Sequence, residues 1–364
     1  MRRRDFLAAS AACGAMLLAP RTGRAAAGFD PRPGPWRSFA VTTKIDVIDP
    51  GAGAAQAWVP LPSVDEPDWS APEGDDWDGN AATAEVVVDP VYGARILHAT
   101  FAPGEPAPRL EVTSRFRSRD RGQVLDGPAP RALSEADRRL FLAATELLPT
   151  DGIVRETAQR ITAGATDEVA KARAIYEWVV ENSRRKAEVR GCGLGDVASM
   201  LAMGDLSGKC ADLNALFVAL ARASGLPARD LYGLRVAPSA FGYKSLGAGS
   251  EVVTKAQHCR AEVWLDAHGW TPADPADVRK VVLEEPPGEN PLGSEKVAAA
   301  RAALFGAWEG NWMAYNDAHD LTLPGSEHRL AFLMYPQVEV AGVLRDCLAA
   351  DTVAYAITAQ ETAV

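Results

Sequence analysis

The sequence predicts an α+β protein: an N-terminal all-β domain, a core that mixes helices with strands, and a helical or mixed C-terminal extension. Three observations lead to this reading. Residues 28–127 are rich in Pro and Gly, and their short β-branched runs are bounded by turn residues. From about residue 134 the apolar residues recur at helical spacing instead. Further on, the runs near "DLYGLRVAPS" and "QHCRAEVWLDAHGWTPADP" return to strand texture.

Within the first of these regions, "RSFAVTTKIDVI", "AQAWVPLP", "AEVVVDP" and "ARILHATF" alternate with turn signals, as consecutive strands do. Next comes "SEADRRLFLAATELL", which opens on Ser134, a helix N-cap candidate. In "TDEVAKARAIYEWVVENSR", Val169, Ala172, Ile175, Tyr176 and Val179 fall on one helical face. A Gly-rich "RGCGLGD" then leads to a further helical pattern in which Leu213, Leu216, Phe217 and Leu220 recur, and Gly225 and Pro227 mark its stop. There is no internal repeat. The organisation expected is residues 1–27 as an export signal, 28–127 as the β domain, 134–280 as the α+β core and 281–364 as the C-terminal extension.

The 364 residues are 47% hydrophobic and 24% charged, which suits a folded chain of two or three domains with a large core. With 38 basic against 48 acidic residues the formal balance is -10, and there is no long basic run. Nucleic acid and an anionic membrane surface are therefore excluded as expected partners.

The opening "MRRRDFLAASAACGAMLLAP" places Arg3 and Arg4 before Phe6 and Leu7 and a short apolar stretch, the pattern of a twin-arginine export signal. Ala25, Ala26 and Ala27 supply an Ala-x-Ala cleavage site, so the expected mature chain starts near Gly28 and works in the periplasm. Cleavage removes five arginines and one aspartate, leaving 33 basic and 47 acidic groups and a balance of -14. No later segment is long and apolar enough to read as a transmembrane helix. Ser10, Ala11 and Ala12 make a poor lipobox before Cys13, which falls within the removed segment.

Four cysteines remain: Cys192, Cys210, Cys259 and Cys347. Their spacing contains no CxxC pair, so neither a small-domain disulfide framework nor a structural zinc site is expected, and no cofactor is implied.

Cys210 falls where a Gly-containing turn gives way to a helical pattern. At a helix N-terminus, unpaired N–H groups and the positive end of the dipole favour thiolate over thiol and are able to face a developing oxyanion. A buried cysteine closing a helix turn is the competing reading of that segment. In "QHCRAEVWLD", strand alternation sends His258, Arg260, Glu262 and Trp264 to one face and Cys259, Ala261, Val263 and Leu265 to the other. His258 is then a candidate base, whereas Cys259 is expected to point away from it into packing. Asp274, before Pro275, is a candidate carboxylate to fix the imidazole tautomer. His268, in the "DAHGW" turn, reads as a solvated loop residue.

The segments "GKCADLNALFVALARASGLPARDLYGLRV" and "HCRAEVWLDAHGWTPADPADV" resemble the transglutaminase-like superfamily. The resemblance is strongest over residues 170–280, and the N-terminal strands and "FGAWEGNWMAYNDAHDLTLPG" extend it to most of the chain. It implies a papain-like core in which Cys210, His258 and Asp274 form a catalytic triad and Arg222, Gly225, Pro227 and Arg229 are framework. The chain departs from the usual pattern at Cys259, which follows the histidine where an aromatic or small residue is usual. The Gly- and Ser-rich residues 239–257 directly precede the base and are expected to border the cleft, with Lys244, Lys255 and Gln257 as candidate substrate contacts.

The activity implied is amide hydrolysis of a peptide or protein through a thioester. The alternatives are acyl transfer to an amine, which would cross-link proteins at glutamine, and a non-catalytic peptide- or protein-binding module on the same fold. Replacing both Arg3 and Arg4 with Lys is expected to strand the precursor inside the cell. Fractionation and immunoblotting measure this, and a normal periplasmic yield would refute the twin-arginine reading.

Overall fold

The computed structural model describes residues 28–122 and 132–363. The export segment expected at residues 1–27 lies outside the described residues. The N-terminal region forms β1 (Arg37–Val47), β2 (Ala55–Pro60), β3 (Ser70–Gly79), β4 (Thr83–Val88), β5 (Arg95–Phe101), β6 (Arg109–Ser118) and the short β7 (Arg121–Gly122), of which β3 and β7 carry no β-branched residue. In β6, buried and more exposed residues alternate at every step, the period-2 signature of a strand with one face on a core.

Helices follow where the 3.6 periodicity begins: α1 (Glu135–Leu142), α2 (Gly152–Thr162) and α3 (Glu168–Asn182). Ser134 does cap α1, its hydroxyl accepting the Asp137 N–H at 3.0 Å. A short strand β8 (Arg184–Arg185), helix α4 (Val197–Met203) and strand β9 (Ser207–Gly208) lead into α5 (Cys210–Ala223). Every residue of α5 from Cys210 to Arg222 is buried. A helix apolar nearly all round must be covered nearly all round, and α5 is: β10 (Ala228–Arg235) and β11 (Gln257–Leu265) pack on it, as do α2, α3 and α6 (Pro275–Glu284).

The core sheet is antiparallel and runs β12 (Gly269–Ala273), β11, β10, β14 (Trp312–Asn316). Helix α7 (Glu295–Ala303) and strand β13 (Ala307–Trp308), which pairs with β7, connect α6 to β14. The remaining strands are β15 (His319–Thr322), β16 (Arg329–Phe332), β17 (Gln337–Val340), β18 (Val343–Leu344) and β19 (Val353–Thr362). The last three return to the start of the chain. One sheet runs β19, β1, β6, β3 and the other β18, β17, β2, β5, β4. The two share a core that includes Ile45, Val59, Leu97, Val112 and Val353.

The core sheet also buries charge. Every residue of β10 is buried, including Arg229 and Arg235. Arg229 donates to Glu262 at 2.9 Å, Asp317 at 3.2 Å and Glu66 at 2.6 Å, and its guanidinium lies 4.3 Å from the Trp270 ring centroid. Arg121 also meets the fully buried Glu262. Arg222 satisfies two carbonyls, those of Ala228 at 2.8 Å and Ala143 at 3.0 Å. Removing one member of such a cluster strands the others out of water. Arg229→Met is therefore expected to destabilise the protein by roughly 3–5 kcal/mol, read as a lowered urea midpoint. An unchanged midpoint would mean that the cluster contributes nothing.

Candidate active site

The start of α5 is fixed by one carboxylate. Asp212 accepts the N–H groups of Lys209, Leu194 and Gly195, each at 2.9 Å, which ties the Gly-rich loop to the first turn of the helix. Gly193 and Gly208 close over this carboxylate, and a Cβ at either would lie 1.9 Å or 2.4 Å from the Asp212 side chain. The Ala211 N–H donates to the Cys192 carbonyl at 2.9 Å. Cys210, the first residue of the helix, has an N–H with no intrahelical acceptor by its position.

His258 is the second residue of β11, opposite Gly233 of β10. A Cβ at Gly233 would collide with the Trp312 indole, 2.3 Å away. That indole donates its Nε1–H to the His258 carbonyl at 2.9 Å and so fixes the backbone of the base. The imidazole Nε2 stands 2.8 Å from Asp274 Oδ2, leaving Nδ1 as the ring nitrogen not engaged by Asp274.

Asp274 follows β12 and is the N-cap of α6. Its Oδ1 accepts the Asp277 N–H at 3.0 Å and the Asn214 Nδ2–H at 3.2 Å. Asn214 lies one helical turn after Cys210, so α5 orients both ends of the Cys210–His258–Asp274 line. Asp277 Oδ1 stands 3.4 Å from His258 Nε2 and accepts from the Arg235 guanidinium at 2.5 Å.

Cys210 is held well below the ordinary thiol value, because hydrogen bonds from the Cys192 and Cys259 thiols and then His258 favour the thiolate and outweigh burial. His258 is pushed up to about 9: burial and Arg235 pull it down, and the Asp277 and Asp274 carboxylates overcome them. Burial and the neighbouring Asp277 raise Asp274. Asp277, though buried, is held well below the carboxylate range by Arg235 and His258. A thiolate beside an imidazolium is the state these shifts favour at neutral pH.

Cys210 and His258 line a cavity of about 830 Å³, and Gln257 and Lys255 line it with them. Residues 247–249, 252 and 254–257 border it, as expected of the connecting segment. Lys244 is not among the lining residues; it sits on a single 3-10 turn, Lys244–Leu246. Strand alternation sets Cys259 off from His258, and it is fully buried, but its thiol is not remote: burial pushes it up, and Cys192 and Cys210, both free thiols like it, push it further. The reason is that the face of β11 opposite His258 packs on α5, which carries the nucleophile.

Asn214, Asp277, Arg235 and Cys192 complete the site and were not picked out from the sequence. Asp277 had a signal, since it stands three residues after the capping Asp274 in "DPAD". His258, Asp274 and Asp277 also bring their ligand atoms within 4.8 Å of one another. That cluster is a poor cation site, because Asp277 already pairs with the buried Arg235 and a metal would share its carboxylate with a guanidinium.

Residues 155–275, a span containing all three of Cys210, His258 and Asp274, match the family model described as the transglutaminase-like superfamily. The chain is 36% identical over 321 residues to an uncharacterized protein of Haemophilus influenzae, an alignment covering 84% of this chain and 83% of that one. A solved structure described as a candidate cysteine protease from Cytophaga hutchinsonii shares the fold at a TM-score of 0.50 and 15% identity, over 90% of this chain and 99% of that one.

Two outcomes are expected of this geometry. Cys210 is expected to react with iodoacetamide at neutral pH faster than Cys192, Cys259 or Cys347, as read by mass spectrometry of alkylated peptides; labelling Cys210 last would remove it as the nucleophile. Asp277→Asn removes a carboxylate that raises His258 and frees Arg235 to lower it further, so the imidazole is expected to titrate below about 9. His258 ring resonances in NMR measure this, and an upward shift would reverse the assignment.

Proposed function

The chain belongs to the transglutaminase-like superfamily, whose members are commonly enzymes, and from that premise we propose that it is an exported cysteine-dependent amide hydrolase. The observation that carries the reading is His258, held by the Asp274 carboxylate at 2.8 Å and standing with Cys210 at the wall of a cavity large enough for a peptide. No helix among the described residues is long and apolar enough to cross a membrane. The residues near Arg3, Arg4 and Ala27 motivate release into the periplasm.

The Cys210 thiolate attacks the amide carbon, and the carbonyl π pair moves to oxygen. The Cys210 N–H, without an acceptor in its own helix, is available to that oxyanion. As the intermediate collapses, the C–N bond breaks, His258 passes its proton to the departing nitrogen and a thioester remains. Water then bonds to the acyl carbon while giving a proton to the neutral imidazole. Loss of the C–S bond returns the thiolate and imidazolium and releases the acid. Through these steps Asp274 holds the ring and balances its charge.

Water is favoured as the acceptor because the charged residues lining the cavity are seven lysines and arginines against one carboxylate, Asp46, and this excess repels a protonated amine. The test is incubation with a peptide library, with and without a primary amine, followed by mass spectrometry. Hydrolysed products are expected, with Cys210→Ala inactive and Asp274→Asn slowed roughly 10²- to 10⁴-fold at little change in binding. Amine-coupled products as the main outcome would make the protein an acyltransferase. A wild-type protein that yields neither product but retains a peptide would be a binding module.

A further inference from the structure

A chain with a formal balance of -10 has gathered positive charge at one place. Seven cationic side chains line the cavity beside Cys210, against one carboxylate, Asp46. Some of that charge is matched from behind. Arg235 meets Asp277, Arg190 meets Asp346 and Lys44 meets Glu111. Arg185 and Lys280 share the single carboxylate of Glu284. For Lys209 and Lys255, no ion-paired carboxylate is found among the described residues.

The unmatched charge is close to the chemistry. Lys209 immediately precedes Cys210, and Lys255 stands three residues before His258. Arg185 pairs in register with Gly208, two residues before the nucleophile. Lys280 follows Asp277 by three residues on α6, and it is pushed down to about 8 by burial and by Arg235, with Arg185 adding to the repulsion. A cation so crowded gains from an anion placed beside it. The β19 wall adds apolar surface: Ala354 and Ala356 line the cavity beside their β1 partners Asp46 and Lys44, and the exposed Val252 and Leu348 line it too.

We propose that the acyl donor is an anionic peptide, whose carboxylate near the scissile amide is held by Lys255, Lys209 and the Arg185–Lys280 pair while its aliphatic part lies along β19. This rests on the hydrolase reading and adds the substrate class to it. The carboxylate belongs either to an acidic side chain or to a free C-terminus, and the same cations serve both.

The first measurement does not depend on hydrolysis. The ratio of Cys210 alkylation by iodoacetate to that by iodoacetamide, read by mass spectrometry on the full chain, is compared with the same ratio for a free cysteine thiolate. Focused positive charge is expected to raise the ratio about tenfold or more, with high salt and Lys255→Gln each lowering it. A ratio equal to that of the free thiol would overturn the proposal.

The second uses peptides matched in sequence: one with an acidic side chain and an amidated end, one with a neutral side chain and a free end, one uncharged and one with lysine. A kcat/KM at least about tenfold higher for either carboxylate peptide supports the proposal and tells the two sources apart. Cleavage of the uncharged and lysine peptides as efficiently as the two carboxylate peptides overturns it and leaves the hydrolase reading standing. A raised iodoacetate ratio with no peptide cleaved supports anion selection at Cys210 and removes the hydrolase reading instead.

Discussion

The Asp274 carboxylate is the group on which the remainder of the site depends. One oxygen meets the imidazole at the head of β11, and the other takes an N–H from the first turn of α6 and an amide from α5. Three elements are thereby registered by a residue with no exposed surface. Burying a carboxylate is costly unless its lone pairs are occupied, and here capping a helix and orienting a base occupy them together. Asp277, one turn on, adds a second negative charge behind the imidazole, and Arg235 keeps that charge in place. The pair of carboxylates explains how a buried histidine stays protonated where burial alone would discharge it.

The nucleophile sits at the meeting of two structural regions. Helix α5 and the core sheet supply Cys210 and His258, while the far wall of the cavity comes from β1 and β19, the strands that join the beginning and end of the chain. Residues 251–254 dock on β19, where the Val253 N–H reaches the Ile357 carbonyl at 2.8 Å and the Ile357 N–H reaches the Thr254 hydroxyl at 2.9 Å. The segment just before the base is thus held against the same strand that lines the cavity, so substrate space and catalytic geometry share their supports.

Much of this was legible from local pattern. A cysteine before a helical apolar repeat, a histidine in an alternating strand and an aspartate before proline each sit where local chain geometry alone placed them. What escaped depends on contacts distant in sequence. Nothing in "TVAYAITAQET" announces that β19 pairs along β1, more than 300 residues earlier. Asn214 and Arg235 read as one polar residue in an apolar helix and one basic residue in a strand, and acquire their roles only when α6 arrives. Cys259 shows the limit of alternation. The pattern separated it from His258, but the packing of that face on α5 brought its thiol to Cys210.

The central claim is that Cys210 and His258 form a thiolate–imidazolium pair in the resting protein, and the near-ultraviolet absorbance of thiolate measures it directly. Wild type minus Cys210→Ala, titrated with pH, is expected to show thiolate at neutral pH that persists well into the acidic range. Absorbance appearing only as the pH rises through the ordinary thiol value of about 8.5 would contradict the account, because Cys210 would then be a neutral thiol beside an imidazole with no charge to balance.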